Sequence, residues 1–305
     1  MTWCGSLRRV ARLRFCAAAC RPNKAPLHSG SYVITGGLGG LGQRTAKLLI
    51  GGSASSVVLS SRRGGRVHFD DLVLNSTSSR AKVHVVASDV SDAADAVSLL
   101  SRAPLTGVLH AAGVLRDGMI RSMSEESVQD VFASKAIPAA HIHHALARQP
   151  VEVLGLFSSV ASTFGNVGQA NYAAANAYLD ALAPARRQSG AIGFSLQIPA
   201  VSGAGMGAST FGGAQLEAIG AITLDDFAAC MAVSLSPGRG AMGLVQAPLP
   251  DALLVAVCSS GTAPAFSEVW HGRTDRSSIN ANKTLHPTSS FAQSLLHVAP
   301  SERRA

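Results

Sequence analysis

The chain is 305 residues long, 47% hydrophobic and 14% charged, enough to bury a large core, with no apolar run long enough to cross a bilayer. Its formal charge of +8 would suit a nucleic-acid partner, but aromatics are only 5% and no stacking platform or RNA motif accompanies them. Membrane and nucleic acid are therefore excluded as partners, and 30 glycines fit a soluble α/β enzyme with many tight turns.

Much of the excess charge precedes the first acidic residue, Asp70, in Arg8, Arg9, Arg12, Arg14, Arg21 and Lys24. Residues 1–29 fit either an Arg-rich, acid-poor transit segment or a plain basic extension. A cytoplasmic location is expected, with plastid or mitochondrion as the alternative. Cys4, Cys16, Cys20, Cys230 and Cys258 are odd in number and lack metal-ligand spacing, which favours a reducing compartment and no metal.

Ser31 to Thr35 is a short apolar strand running into Gly36-Gly37-Leu38-Gly39-Gly40-Leu41-Gly42, and Thr45 to Ile50 continues as a helix. A second strand, Val57 to Ser61, ends in Arg62-Arg63-Gly64-Gly65. A third, Val83 to Val86, leads to Asp89-Val90, and a fourth, Gly107 to His110, ends in Ala111-Ala112-Gly113. Ser124 is an expected N-cap, with Glu125 and Glu126 in the first turn of a helix that runs towards Arg148, carries Lys135 and kinks beside it, where Pro138 frees the carbonyl of Ser134. A fifth strand, Val153 to Phe157, delivers Ser158-Ser159; Ala170 to Arg187 is helical, and Phe194 to Ile198 is a sixth strand. Strands and helices alternating at these lengths predict a single domain, residues 30–255, built on a doubly wound parallel sheet of Rossmann-like type. Beyond residue 205 the signals fade. Gly203 to Gly213 has the composition of a mobile lid, and residues 256–305 form a polar tail with little periodicity.

Ligands of such sheets bind outside the carboxyl ends of the strands, where all the unusual residues fall. Thr35, Gly36, Gly37, Leu38, Gly40, Leu41 and Gly42 form a strand–turn–helix cradle in which backbone amides and a helix N-terminus meet a pyrophosphate. Asp89, Val90, Ala111, Ala112 and Gly113 lie at the neighbouring strand ends and belong to the same cofactor site. The second strand ends in Ser61, Arg62 and Arg63 with no acid, which favours the 2′-phosphate of NADPH over the free hydroxyl of NADH, at least one of the two arginines being a solvated surface charge.

Tyr172 and Asn176 are four apart and share a helical face. A tyrosine near pKa 10 is a poor acid at neutral pH unless an ammonium lies close, and Lys135 is placed to supply one. Ser159, at a strand end, is placed to hold a substrate carbonyl. His141, His143 and His144 are read as surface histidines, and His110 as packing beneath the cofactor.

The stretch Leu156-Phe157-Ser158-Ser159-Val160-Ala161, followed by Gly165 to Ala183 with Asn171-Tyr172 and Asn176, resembles the ketoreductase domain of modular polyketide synthases and animal-type fatty acid synthases. That family is a branch of the short-chain dehydrogenases/reductases. The glycine loop, Ser61-Arg62-Arg63-Gly64 and Val108 to Leu115 fit it in the same order, over roughly residues 30–250. The resemblance implies reduction by NADPH of the β-carbonyl of a 3-ketoacyl thioester on an acyl carrier protein, in concert with other synthase domains or as a homo-oligomer. It gives Ser159 the carbonyl, Tyr172 the proton, and Lys135 and Asn176 the orientation of tyrosine, ribose and water. Leu115-Arg116-Asp117 and Phe164 lean towards a 3R alcohol. The alternatives are a free-standing carbonyl or alcohol oxidoreductase and an inactive scaffold of the same fold.

Three departures stand out. Ile198-Pro199-Ala200-Val201 replaces the family's Trp-Gly-Pro-Trp, the helix between Arg63 and Lys82 is abbreviated with Asn75 to Arg80 as loop, and the truncated partner subdomain that precedes the catalytic half is not seen.

Overall fold

A computed structural model describes residues 14–15, 27–52, 54–65, 81–206, 216, 221–236 and 243–247. Its strands are β1 (Arg14–Phe15), β2 (Gly30–Thr35), β3 (Ala54–Ser61), β4 (Lys82–Ala87), β5 (Gly107–His110), β6 (Val153–Ser159), β7 (Phe194–Ile198) and β8 (Leu244–Gln246). The helices are α1 (Gly40–Gly51), α2 (Ala93–Leu100), α3 (Glu125–Ser134), α4 (Ala136–Ala145), α5 (Ala161–Phe164), α6 (Ala170–Gln188) and α7 (Leu224–Leu235). All strand pairings are parallel, in the order β1-β8-β7-β6-β5-β2-β3-β4.

The chain winds outward from β2 through β3 to β4, then returns to β5 on the other side of β2. The turns after β2 and β5 therefore diverge from adjacent strand ends and leave a crevice between them, as they do in doubly wound sheets generally. β5 and β7 are buried along their whole length because helices cover both sides of the sheet. Period-two alternation splits the core. Ile34, Leu49, Leu59, Phe194, Phe227 and Met231 pack on the side of α1 and α7, while Val33, Leu99, Val108, Ile142, Leu156 and Leu179 pack on the side of α2, α4 and α6.

Local chemistry fixes the helix starts. Asp92 caps α2 by accepting from the amides of Ala94 and Asp95, and Ser124 caps α3 as the sequence leads one to expect. The long helix expected over 124–148 is instead two, and the expected kink is a full break at Lys135 (φ −126°, ψ −68°). Pro138 occupies the first turn of α4, where its missing N–H costs nothing.

The region after residue 205 holds more structure than its composition suggests. Thr223 and Asp226 form a reciprocal capping box at the start of α7, and β8 extends the sheet past β7. Arg14–Phe15 of the basic lead pairs with β8. Residues 1–13 and 16–26 of the lead, the segment 66–80, residues 207–213 of the expected lid and the polar tail lie outside the described residues. No helix among the described residues is long and apolar enough to cross a membrane.

Candidate active site

The β2–α1 turn is shaped by close backbone approach. Gly36 has φ +68°, and a Cβ there would stand 2.5 Å from the amide nitrogen of Ala112, across the crevice. A Cβ on Gly42 would stand 2.7 Å from the carbonyl oxygen of Gly36. Only glycine lets helix α1 seat so tightly against the strand it follows.

The groove that results has a volume of about 440 Å³. Of the residues expected to bind cofactor, Gly36, Gly40, Leu41, Gly42, Ser61, Arg62, Asp89, Val90, Ala111, Ala112 and Gly113 line it. Thr35, Gly37, Leu38 and Arg63 do not. Thr35 is fully buried and turned towards His110, Gly37 packs on Ile34 and Leu59, Leu38 joins the core, and Arg63 is exposed.

Ser60 and Ser88 also line this groove, 1% and 8% exposed, and both hydroxyls are buried without a hydrogen-bond partner. Buried hydroxyls are seldom left unpaired unless a ligand meets them. With the glycine cradle and the cationic Arg62, they fit a nicotinamide dinucleotide. They were passed over in the sequence because a serine beside Ser61 or Asp89 carries no pattern of its own.

A second cavity, about 170 Å³, is lined by Ser159, Tyr172, Lys135, Phe164 and the segment Ile198 to Val201. It shares Leu41, Ala111, Gly205 and Met206 with the groove. The replaced segment after β7 is thus part of the wall of this cavity. Val201 bridges to Ile222, and the amides of Ser202 and Ile222 bond the carbonyls of Ile222 and Ala200, which holds the wall to the start of α7.

Ser159 is half-buried at the end of β6, and its hydroxyl accepts from the amide of Ala161 at 3.2 Å. Its neighbour Ser158 is buried and spends its hydroxyl on the carbonyl of Asn176, which fits a structural part. Tyr172, Asn176 and Asp180 follow one another at four-residue intervals along α6. Asn176 is fully buried, donates to the carbonyl of Tyr172 at 2.8 Å, and keeps its Oδ1 unpartnered.

Lys135 is 3% exposed. Its ammonium donates to the carbonyl of Phe157 at 2.8 Å and sits 5.5 Å from the centre of the Tyr172 ring. Burial lowers its pKa to about 8, and the carboxylate of Asp180 opposes the fall. Burial pushes the Tyr172 phenol up to about 12, with hydrogen bonding to Asn176 and Ser159 pulling the other way. The sequence led one to expect a tyrosine lowered by a nearby ammonium; here desolvation outweighs the hydrogen bonds to Asn176 and Ser159, and the Asp117 charge adds to the rise.

His110 does not simply underlie the groove. Thr35 and His110 are register partners on β2 and β5, and Thr35 Oγ1 lies 2.7 Å from His110 Nδ1. His110 Nε2 lies 3.0 Å from the carbonyl oxygen of Lys135. A carbonyl only accepts, so Nε2 carries the proton and Nδ1 accepts from Thr35. Of the other histidines, His143 is half-buried against Arg186 at 2.6 Å, and His141 is 3.3 Å from the carbonyl of Val90.

A doubly wound parallel sheet with a glycine cradle at its crevice is the Rossmann-like fold of the short-chain dehydrogenases/reductases, which use a nicotinamide cofactor. A sequence model described as the KR domain matches residues 30–203, and the chain belongs to that ketoreductase family. It is 37% identical over 252 residues to polyketide synthase GfsB of Streptomyces halstedii, covering 80% of this chain and 4% of that protein. It is 42% identical over 177 residues to the type I polyketide synthase Pks1 for phenolphthiocerol synthesis of Mycobacterium tuberculosis, whose name includes the word inactive, covering 56% of this chain and 11% of that one. Among solved structures, the first ketoreductase of the tylosin polyketide synthase superposes with a TM-score of 0.69 at 32% identity, over 80% of this chain and 54% of that one. The chain thus spans a small part of the curated relatives, which are large synthases, and about half of the solved ketoreductase.

Proposed function

We propose that the chain reduces the β-keto group of a 3-ketoacyl thioester carried on an acyl carrier protein, using NADPH, and that its catalytic domain covers residues 30–255, between the basic lead 1–29 and the tail 256–305. The observation that carries this reading is the meeting of Ser159, Tyr172 and Lys135 in one cavity that shares its wall with the glycine-lined groove.

When bound, the reduced nicotinamide supplies the hydride taken up by the substrate carbonyl carbon. Ser159 Oγ donates a hydrogen bond to the carbonyl oxygen, and Tyr172 Oη gives its proton to that oxygen as negative charge develops. The Lys135 ammonium stabilises the phenolate left behind, and Asn176 fixes the turn of α6 that aims the phenol. Arg62 takes the 2′-phosphate and the amides at the start of α1 take the pyrophosphate. Asp117, in contact with both carboxylate oxygens to Gln169 Nε2 at 3.3 Å, and Phe164 in the cavity wall support a 3R product. The acyl carrier and the other synthase domains are its partners, or a second copy of the chain where none are present.

The test is oxidation of NADPH, followed by absorbance, with a 3-ketoacyl N-acetylcysteamine thioester. Wild type turns over with preference for NADPH over NADH, and Tyr172→Phe loses roughly 10²–10⁴-fold. Binding of NADPH without turnover would favour the scaffold reading, and a chain that binds no nicotinamide cofactor would sink the enzyme reading altogether.

A further inference from the structure

Asp180 belongs to a buried polar network that reaches the candidate active site and has no role in the chemistry above. Its Oδ1 accepts from Ser195 Oγ at 2.6 Å. Its Oδ2 accepts from Gln197 Nε2 at 2.7 Å and from Ser162 Oγ at 2.5 Å. Ser195 and Gln197, fully buried, lie two apart on β7 and so face the same side, towards α6. Two polar residues on the inner face of a central strand are costly unless an acceptor meets them, and Asp180 is that acceptor.

The network continues to Ser159. The one hydroxyl proton of Ser162 is shared between Asp180 and the carbonyl oxygen of Ser159, 2.7 Å away, and the second amide proton of Gln197 goes to Thr163 Oγ1 at 2.7 Å. The turn between β6 and α5, which carries Ser159, is thereby tied to the helix that carries Tyr172 and Asn176. Lys135 is surrounded by the Phe157 carbonyl on β6, the neutral His110 on β5 and Tyr172 on α6; Asp117 acts on Tyr172, and Asp180 is the anionic group that acts on Lys135 itself.

We propose that Asp180 is a positioning residue of this active site: through Ser162, Gln197 and Thr163 it locks the Ser159 turn against the Tyr172 helix. The effect on turnover rests on the ketoreductase reading above; the lock itself does not.

Two measurements on purified protein separate the two. Amide hydrogen exchange read by NMR follows the turn from Ser159 to Phe164: Asp180→Asn keeps the shape but leaves one acceptor oxygen where there were two, so exchange there speeds up by about tenfold, and Asp180→Glu restores part of the protection. Ser162→Ala, which cuts one link, has the same effect and serves if Asp180→Asn does not fold. In turnover, both Asp180→Asn and Ser162→Ala lower kcat with KM for NADPH unchanged. Wild-type exchange of this turn in both variants overturns the lock, and wild-type kcat in Ser162→Ala overturns the positioning role. If wild type shows no Tyr172-dependent turnover, the ketoreductase reading fails and the exchange measurement alone decides for or against the lock.

Discussion

His110 donates from Nε2 to the carbonyl of Lys135 at 3.0 Å, and Lys135 is the residue at which α3 stops and α4 begins. A strand-end imidazole thus holds the backbone of a helix break, and the break lets the Lys135 side chain turn inward to Phe157 and Tyr172. Thr35 completes the clamp from the adjacent strand.

Protonation of His110 would reverse the Thr35 bond, Nδ1 then donating to Oγ1, and would put a charge into the buried clamp beside Lys135. Burial first, and the Lys135 charge second, lower its pKa from 6.5 to about 3, against the hydrogen bond to Lys135. The folded state therefore binds fewer protons than the unfolded one between these values, and stability falls as pH drops from 6.5 towards 3. His110→Ala is expected to lose about 2–4 kcal/mol at neutral pH from the cavity and the unpaired Thr35 and Lys135 groups. Its urea midpoint should also depend less on pH across that window than the wild-type midpoint does. Equal pH dependence in the two proteins would show that His110 titrates in the fold as it does in the unfolded chain.

Lys135 is expected to act against stability. Its pKa falls from 10.5 unfolded to about 8 folded, mainly through burial, so the fold carries the cost of the buried ammonium below about pH 8 and is relieved of it as pH rises towards 10.5. Lys135→Met should raise stability at neutral pH by about 1–3 kcal/mol while abolishing turnover. The gain should shrink as pH is raised through that window, which thermal unfolding at a series of pH values will record.

Arg62 lines the nucleotide groove and Arg63 does not, although both are exposed. Arg62→Ala should raise KM for NADPH by about 10- to 100-fold, the worth of a charge-assisted contact, and leave KM for NADH nearly unchanged. Arg63→Ala should change neither by more than about threefold. Steady-state kinetics with both cofactors distinguishes them, and equal losses from the two variants would refute the assignment of the phosphate to Arg62.

Gly36→Ala combines a positive φ with a Cβ 2.5 Å from the Ala112 amide nitrogen. Neither strain can relax without parting β2 from β5 at the crevice. The variant is expected to lose about 1–3 kcal/mol and to bind NADPH too weakly to measure by fluorescence titration. Gly165→Ala, at φ +71° with open space around the Cβ, should show the backbone penalty without the loss of binding.

The sheet was largely legible in the sequence because each strand has its own apolar run and its own punctuation. β5 ends in Ala-Ala-Gly, β6 in Ser-Ser, and β2 in the glycine turn. The edge pieces were harder to see. β8 has three residues and β1 two, too few for a period, and they are strands because neighbouring backbone supplies their hydrogen bonds. Helix α7 did announce itself through Thr223 and Asp226, three apart, a signal lost in a glycine- and alanine-rich region.

What the sequence determined by itself was the local part: the order of strands and helices, the glycine cradle, the absence of an acid after β3, and the four-residue spacing of Tyr172 and Asn176. These follow from dihedral preference and period, which act over a few residues. Tertiary structure alone decided that the kink beside Lys135 is a full break, because the imidazole that holds it is 25 residues away in the chain. It also decided that Asp180 meets Ser195, Gln197 and the Ser159 turn, partners 15 to 18 residues distant. Buried charges and their partners are chosen by desolvation, which acts only once the sheet has closed around them.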